Sequence, residues 1–355
     1  MKQYFISWIL LAVLCLMPVS LPAADLSEGS LGNSVVANIK GSRPGADKGP
    51  TEVTYRIFVL DIDEIDSAEQ TFTANIFLAL SWKDERLVEP GMKERILPLS
   101  QVWNPQVIIG NQYQKMFPSL PEVVRVSADG TVMYRQRYTG KLSQRLKLTE
   151  FPFDRHIFRI QFGSAGYGEK DILFVPGASQ FDSTITGASM ADELSLADWE
   201  IIDFSAFSEA YNPVPAVRTA AFVFEFEARR YFVYYLLQII FPLTVVMVMS
   251  WLGFWVQRDQ VGVRIAMATS SVLTLIAHRF VVANLLPRLP YMTQLDYFSV
   301  GGGLVVFASL IGIVSTAYLV SIDREAMARR IDLAARVIFP IVFIGLLVWF
   351  LGGRI

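Results

Sequence analysis

The amino-acid sequence predicts an extracellular all-β sandwich followed by a bundle of four transmembrane helices. Three observations predict this fold class. Hydrophobic residues make up 53% of the chain, which exceeds the share found in soluble domains. They concentrate in the first two dozen positions and after Tyr231, whereas the stretch between alternates apolar and polar residues as strands do. The composition changes near Arg229–Arg230, where we place the domain boundary.

Residues 1–24 have the pattern of a secretory signal peptide. Lys2 is followed by the apolar run YFISWILLAVLCLMPV and then by the small-residue stretch SLPAA. An amino-terminal anchor helix is the alternative, and it is disfavoured because the apolar run is short and ends near Pro18. The single cysteine, Cys15, lies in this segment. The mature chain would therefore form no disulfide and would have no cysteine nucleophile or cysteine metal site.

Residues 25–50 are rich in Gly, Ser and Pro, and they predict a flexible lead-in to a β-sandwich that spans residues 51–230. Six stretches of the sandwich alternate as strands do: 51–63, 71–82, 131–142, 155–162, 198–207 and 218–228. Turn residues stand at Asp129-Gly130, Pro176-Gly177 and Asn212-Pro213. Many short strands separated by such turns are typical of a β-sandwich.

Residues 231–355 contain four apolar segments, each near the ~20 residues that a helix needs to cross a bilayer. The predicted spans are about 232–256, 264–286, 297–320 and 334–352. With the β-sandwich outside, four spans return the carboxyl terminus to the outside. The inner loops then carry Arg258, Arg324, Arg329 and Arg330, and the outer loop near 287–294 carries only Arg288. This distribution agrees with the positive-inside rule.

The second span is the least lipid-like of the four. Steps of four and three residues place one stripe of side chains on a single helical face: Ala266, Ser270, Leu273, Ala277, Phe280 and Asn284. The inner half of this stripe is small and polar and the outer half is apolar, which fits a pore that a ring of Leu273 or Phe280 closes by excluding water. The alternative is a packed helix whose hydroxyls bond its own backbone or a neighbouring helix.

Several motifs resemble those of the pentameric ligand-gated ion channels, the Cys-loop receptor superfamily. They are FPFD at 151–154, WNP at 103–105, LSWKDERL at 80–87, RRYFVYYLLQIIFP at 229–242 and NLLPRLPYMT at 284–293. The resemblance runs from about residue 51 to the end, and the short 321–333 loop is similar to that of bacterial members. It implies a homopentamer in the lipid bilayer of a bacterial inner membrane, with the amino-terminal domain in the periplasm. Its partners would be permeating inorganic ions and a small-molecule agonist or protons, with no cofactor, metal or nucleic acid.

The resemblance also implies an agonist site between subunits, lined by aromatic residues that suit cationic amines. The matching positions are Phe77, Tyr134, Tyr167 and Tyr211. Two walls of this site differ from the family pattern, since Ala165 stands where many relatives carry Trp and Gly110 where a Tyr is expected. A smaller or different ligand, or protons, therefore remains open. The alternative for each aromatic residue is packing in the core or at the rim of the sandwich.

A coupling contact between the two domains is the third implication. The residues expected there are Phe151, Pro152, Phe153, Asp154, Arg230, Pro287 and Pro290. In the family the FPFD turn lies at the base of the extracellular domain, so its apolar residues would pack on the outer ends of the helices and Asp154 would pair with Arg230. The family's loop disulfide would join the positions of Gln144 and Phe158. We expect packing of Phe158 in the core to hold the loop instead.

Gating and selectivity stay open at this stage. Candidate proton sensors are Asp61, Asp63, Glu64, Asp66, Asp154, Glu227 and His278. Val263 precedes Arg264 where cation-selective relatives usually carry Glu, and Asp259 offers another acidic ring. We therefore expect weak cation preference or anion permeability.

An enzyme is disfavoured because the sequence has no Gly-x-Ser-x-Gly, His-Glu-x-x-His or Walker pattern. It also has only two histidines, His156 and His278, which leaves little for nucleophilic catalysis. The remaining alternative to a channel is a non-conducting membrane receptor with the same fold.

Overall fold

The computed structural model describes residues 41–178, 187–214, 217–283 and 286–352. The predicted signal peptide and Asn284 lie outside the described residues. Residues 41–50, the described part of the predicted lead-in, form turns packed on the β-sandwich. Arg43 Nη1 donates to the carbonyl of Gly49 at 2.5 Å, and the Thr51 hydroxyl donates to the carbonyl of Pro44 at 2.5 Å.

The described part of the β-sandwich contains six long strands, which are the six predicted ones, and six short strands. In chain order they are β1 Thr51–Asp66, β2 Thr71–Lys83, β3 Arg95–Pro98, β4 Val107–Ile109, β5 Val123–Val126, β6 Thr131–Ser143, β7 Arg155–Gly168, β8 Ile172–Pro176, β9 Ala188–Met190, β10 Trp199–Ser208, β11 Tyr211–Val214 and β12 Val217–Arg230. The turn predicted at Asn212-Pro213 is wrong, because both residues belong to β11, which pairs with β12.

The strands form two facing sheets. The seven-stranded sheet has the order β3-β5-β6-β2-β1-β8 with β9 beside β1, and the five-stranded sheet has the order β10-β12-β7-β4 with β11 beside β12. Alternate residues of each long strand point into the space between the sheets. Aromatic rings join the two sheets there. Tyr55 of β1 stacks on Phe222 of β12 at 4.3 Å, and Phe72 of β2 meets Phe158 of β7 edge-on at 5.4 Å.

The loop between Gln144 and Phe158, where the family resemblance implies a disulfide, is held by packing and hydrogen bonds. Phe158 is fully buried, as predicted, between Phe72 and Trp199. At the other expected cysteine position, the Gln144 side chain accepts a hydrogen bond from the backbone N–H of Arg159 at 3.2 Å. A large buried aromatic side chain contributes roughly 1.5–3 kcal/mol, which is comparable to the stabilisation that a disulfide gives.

Four helices follow the sandwich, and each is long and apolar enough to cross a membrane: α1 Val233–Trp255, α2 Val261–Ala283, α3 Gln294–Ser321 and α4 Glu325–Leu351. The fourth helix begins nine residues before the predicted span of about 334–352. Hydropathy detects only the apolar part of a helix, whereas α4 begins at Glu325 with a charged stretch. Thr293 caps α3, since its hydroxyl accepts from Asp296 N–H and the Asp296 carboxylate accepts from Thr293 N–H.

Helix α1 contains a π-helical turn at Leu236–Ile240, immediately before Pro242. Proline has no N–H to donate to the preceding turn and its ring crowds the carbonyl four residues earlier. The wider turn accommodates both effects. The Nε2 atom of His278 on α2 lies 3.0 Å from the carbonyl oxygen of Ile239 in this turn, so His278 acts as a hydrogen-bonded spacer between the two helices.

Candidate functional site

The FPFD turn lies at the base of the sandwich and is pressed against the helices. It joins a short 3₁₀ turn at Leu148–Glu150 to β7, and its Phe151–Pro152 peptide bond is cis. The Phe151 ring is buried edge-on against Tyr235 of α1 at 4.9 Å. Phe153 packs against Phe232 at 5.3 Å and Phe350 of α4 at 5.4 Å. The apolar character of this turn is explained by its contacts with the helices.

A buried ion pair joins the FPFD turn to the last residue of β12. Arg230 Nε and Nη2 donate to the two carboxylate oxygens of Asp154 at 2.9 and 3.0 Å, and both side chains are 2% exposed. The remaining donors of Arg230 reach the Tyr235 hydroxyl at 3.1 Å and the Ser67 hydroxyl at 2.8 Å. Its guanidinium stacks on the Trp199 ring at 4.0 Å. Arg230 therefore ties the β1–β2 turn, the FPFD turn and α1 together.

His156 is a third member of this cluster that sequence reasoning did not connect to the ion pair. Its Nε2 lies 2.8 Å from the second carboxylate oxygen of Asp154, and its ring packs beside Trp199. Burial alone would raise the pKa of Asp154, but the hydrogen bonds from His156 and Arg230 and the charge of Arg230 outweigh burial and hold this pKa at about 2. Asp154 immediately precedes β7 and His156 is the second residue of that strand, and this spacing of two positions is the signal available in the sequence.

The loop between α2 and α3 also reaches the base of the sandwich. The Tyr291 hydroxyl accepts a hydrogen bond from the backbone N–H of Leu148 at 3.1 Å, and Leu289 packs against the same core. Pro287 is half-buried and Pro290 is exposed. The described contacts of this loop therefore include a tyrosine and a leucine beside the predicted prolines.

The four aromatic candidates fall on both sheets. Phe77 of β2 is half-buried on the outer face of the seven-stranded sheet, whereas Tyr167 and Tyr211 belong to β7 and β11 at the five-stranded sheet. The Tyr167 hydroxyl accepts from the indole N–H of Trp103 at 2.8 Å. Tyr134 is a correction to the predicted set: it is buried in the sandwich core, where alternation along β6 turns it inward, so its ring packs inside the subunit.

Tyr211 occupies the space that the small residue Gly110 leaves. A Cβ atom built on Gly110 would lie 3.1 Å from Cε1 and Cζ of Tyr211, and one built on Gly163 would lie 3.3 Å from its Cδ1. The tyrosine ring therefore rests directly on the glycine backbone of β7 and of the segment after β4. Gly110 stands where the family pattern has a Tyr, and the ring of Tyr211 occupies the space next to it.

The predicted stripe of α2 lies on the outer surface of the helix bundle. Its described members, Ala266, Ser270, Leu273, Ala277 and Phe280, are all exposed. Leu273 is 70% exposed and Phe280 is 72% exposed, although both are large and apolar. The opposite face of α2 is buried against the other helices through Arg264, Ala268, Ser271 and Val282.

Three hydroxyls of α2 bond the helix's own backbone, as the packed-helix alternative expects. Thr269 donates to the carbonyl of Ile265 at 2.9 Å, Ser271 to that of Met267 at 2.9 Å and Thr274 to that of Ser270 at 2.8 Å. None of the three belongs to the stripe. Hydrogen bonds from these hydroxyls to their own helix are therefore compatible both with a pore-lining stripe and with a packed helix.

Comparison with known proteins decides the family. Residues 37–232 match the family model described as "Neurotransmitter-gated ion-channel ligand binding domain", and residues 239–325 match "Neurotransmitter-gated ion-channel transmembrane region". The chain belongs to the neurotransmitter-gated ion-channel family. This family member is a multi-pass membrane protein with a β-sandwich ligand-binding domain and four spans, and it is not an enzyme. Membership implies an agonist and permeating ions.

Curated relatives come from animals and from a cyanobacterium. This family member is 25% identical over 330 residues to the gamma-aminobutyric acid receptor subunit alpha-2 of Mus musculus, covering 88% of this chain and 72% of the relative. It is 26% identical over 306 residues to the proton-gated ion channel of Gloeobacter violaceus, covering 85% and 82%. It is 25% identical over 294 residues to the gamma-aminobutyric acid receptor subunit alpha-6 of Gallus gallus, covering 81% of this chain and 62% of that relative.

Two of the candidate proton sensors of this family member form a carboxyl pair. Asp61 accepts from the backbone N–H and the hydroxyl of Ser195, both at 2.7 Å. Burial by itself would raise the pKa of Asp61, but these hydrogen bonds outweigh burial and lower that pKa. Burial and the hydrogen bond with Asp61 raise the pKa of Asp63. Asp66 instead caps the β1–β2 turn by accepting from the backbone N–H of Glu69.

The end of the helix bundle that lies away from the sandwich holds a second buried ion-pair cluster in this family member, which sequence reasoning missed. Asp332 of α4 accepts from Arg264 Nη2 at 2.6 Å and from Arg258 Nε at 3.0 Å. Arg264 Nε also donates to the carbonyl of Gly253 at the end of α1 at 3.0 Å. The hydropathy pattern predicts a loop over 321–333 that includes Asp332, because the charged first turns of α4 lack the apolar signal of a span.

Proposed function

We propose that five copies of this chain assemble around one axis as a homopentameric ion channel, opened by a small-molecule agonist or by protons. We further infer that it resides in a bacterial inner membrane with the β-sandwich in the periplasm, which the short α3–α4 turn supports. The exposed stripe of α2 carries the proposal. Ser270 on this stripe would be unfavourable against lipid, because polar groups inside a membrane face protein or water, and a ring of five α2 helices places the whole stripe around a central pore that water can enter.

The proposed pore has a wet inner half and a dry outer half. Ser270 and Ala266 are small, so five of each leave room for hydrated ions. Five converging Leu273 or Phe280 side chains form an apolar constriction in which water is unstable and an ion has no replacement ligands for its hydration shell. Such a pore closes without a plug, and it opens when the rings separate and fill with water.

Opening must be driven from the sandwich through the contacts at its base. Arg230 is the last residue of β12 and stands three residues before α1, so displacement of β12 is transmitted to the helix. Phe151 and Phe153 press on α1 and α4, and Tyr291 links the 3₁₀ turn to the outer loop of α2. We assign these contacts the role of coupling the two domains.

A ligand site between subunits agrees with the placement of the aromatic side chains. Phe77 lies on one sheet and Tyr167 and Tyr211 on the other, so one chain does not bring them to a common pocket, whereas the opposite faces of two neighbours would. The proton alternative is supported by the Asp61–Asp63 pair, because the raised pKa of Asp63 makes it gain a proton at higher pH than an ordinary carboxyl. The Gloeobacter violaceus relative is a proton-gated ion channel.

The test is ion flux through purified protein in liposomes under a screen of pH, amines and carboxylates. The proposal expects flux under at least one condition and none from empty liposomes. A pentamer that binds a ligand from the screen and passes no ions would instead support a non-conducting receptor. Reversal potentials in a sodium chloride gradient then measure the expected weak cation preference or anion permeability.

A further inference from the structure

The cluster at the inner end of the bundle consists of Asp332, Arg264, Arg258 and the carbonyl of Gly253. Asp332 and Arg264 are each 1% exposed, and Arg258 is about one-third exposed. The carboxylate joins three segments that are distant in the chain: the α1–α2 loop, the first turn of α2 and the charged start of α4. A third arginine, Arg336 of α4, donates to the neighbouring carbonyl of Phe254 at 3.0 Å.

The end of α1 explains why guanidinium groups gather here. The last carbonyls of a helix have no partner within it and carry the negative end of its dipole. Arg264 and Arg336 satisfy the carbonyls of Gly253 and Phe254. Arg264 itself lies in the first turn of α2, where the helix dipole disfavours a cation. The carboxylate of Asp332 compensates for that unfavourable position.

Burial of Arg264 removes its positive charge from the mouth of the proposed pore at the start of α2, which we call the inner mouth. A step of three residues from Ala266 along the stripe reaches Val263, and Asp259 stands in the turn just before α2; both are exposed. Arg264 points the other way, into the bundle, where it is neutralised by Asp332. The described turn before α2 thus exposes the carboxylate of Asp259, while Arg258 and Arg264 are engaged by Asp332.

We propose that Asp332 is a positioning residue that sets the charge selectivity of the pore by holding Arg264 and Arg258 inside the bundle. This inference rests on the proposed channel function. Without the carboxylate, Arg264 is a buried cation whose charge is uncompensated, and such a group moves to water where its side chain can reach it. The nearest water is at the inner mouth, so the released charge repels cations and attracts anions there.

The experiment uses the full-length protein in planar bilayers with a sodium chloride gradient, opened by a condition that opens the wild type. We expect Asp332→Asn to lower the cation-to-anion permeability ratio about tenfold, the lower end of the effect of a charged cleft on local ion concentration. Adding Arg264→Gln to this variant should return most of the ratio. The matched control is Asp323→Asn, which removes an exposed carboxylate from the α3–α4 turn and should leave the ratio unchanged.

A merely structural role for Asp332 would lower the yield or the current and leave the permeability ratio unchanged, and that result overturns the proposal. If Asp332→Asn fails to assemble, Arg264→Gln decides, since Asp332 then keeps Arg258 as its partner. The proposal expects the wild-type ratio from Arg264→Gln, because the charge is already hidden from the ions. A marked rise in cation preference would contradict it. Absence of current from the wild type under every condition would instead refute the channel function itself.

Discussion

Removing Arg230 should destabilise the base of the sandwich far more than removing its neighbour Arg229. Arg230 is buried and makes two hydrogen bonds to Asp154, so Arg230→Gln leaves that carboxylate buried without its cation. Breaking a buried pair in this way costs about 3–5 kcal/mol. His156 and Arg230 together lower the pKa of Asp154 from 3.8 to about 2, which corresponds to about 2 kcal/mol of stabilisation of the ionised form. We therefore expect a loss of about 2–5 kcal/mol.

The assay is a double-mutant cycle of Arg230→Gln, Asp154→Asn and the pair, followed by thermal unfolding of the purified protein. Tryptophan fluorescence includes a probe at this site, since Trp199, one of seven tryptophans, lies 4.0 Å from the guanidinium. The double variant has no unpaired charge, so its loss should be clearly smaller than the sum of the single losses. Arg229→Gln is the matched control, because Arg229 pairs with Glu200 on the surface and such pairs contribute about 0–1 kcal/mol.

The same variants separate stability from gating. We expect assembled Arg230→Gln protein to open poorly, because the tie between β12, the FPFD turn and α1 is lost. Equal losses for Arg230→Gln and Arg229→Gln, or strictly additive effects in the cycle, would show that the buried pair does not hold the base of the sandwich.

Three further predictions concern the Leu273 or Phe280 gate, the Asp154 carboxylate and the contact of Tyr211 with Gly110. Leu273→Ser should leak at rest and open under weaker stimulation than Phe280→Ser in bilayer recordings if Leu273 is the closed gate, and the reverse order would move the gate outward. Ionised Asp154 contributes stability that is fully present above its unfolded pKa near 3.8 and is lost as pH falls through its folded pKa near 2. Acid unfolding scans should therefore show an Asp154-dependent step in that window, absent in Asp154→Asn. Gly110→Ala should displace Tyr211, whose ring would lie 3.1 Å from the new Cβ, and titration of the opening response should show a shifted midpoint with little change in thermal stability.

The long elements were predictable because each leaves a periodic signal. Strands such as β2 alternate over many residues, and the apolar cores of the four spans exceed the length of ordinary buried helices. The Asp154–Arg230 contact was predictable only through the family resemblance, since residues 76 positions apart carry no local signal of their pairing. The stripe of α2 was predictable from helical spacing alone, and its exposure in the structure agrees with that spacing.

The remaining features depend on tertiary contacts that a single sequence does not display. The hydropathy pattern predicts a loop at the charged start of α4. In the structure Asp332 lies in this helix and is buried against Arg264. Tyr134 follows the aromatic pattern of a ligand site, but its position in β6 turns it into the core. Tyr211 fills the space over Gly110 because β11 pairs with β12. The Asn212-Pro213 dipeptide predicts a turn at this place, so the sequence does not indicate that pairing.

The most direct test of the central claim is cysteine accessibility along α2 during ion flow. The single native cysteine, Cys15, is first changed to Ser, and a cysteine is then placed at Ser270 on the stripe or at the adjacent Ser271 on the buried face. The account predicts that a charged, water-soluble thiol reagent blocks current through open Ser270→Cys channels and leaves Ser271→Cys channels conducting. Block of Ser271→Cys with no effect on Ser270→Cys would contradict it, because the ion path would then lie on the other face of the helix.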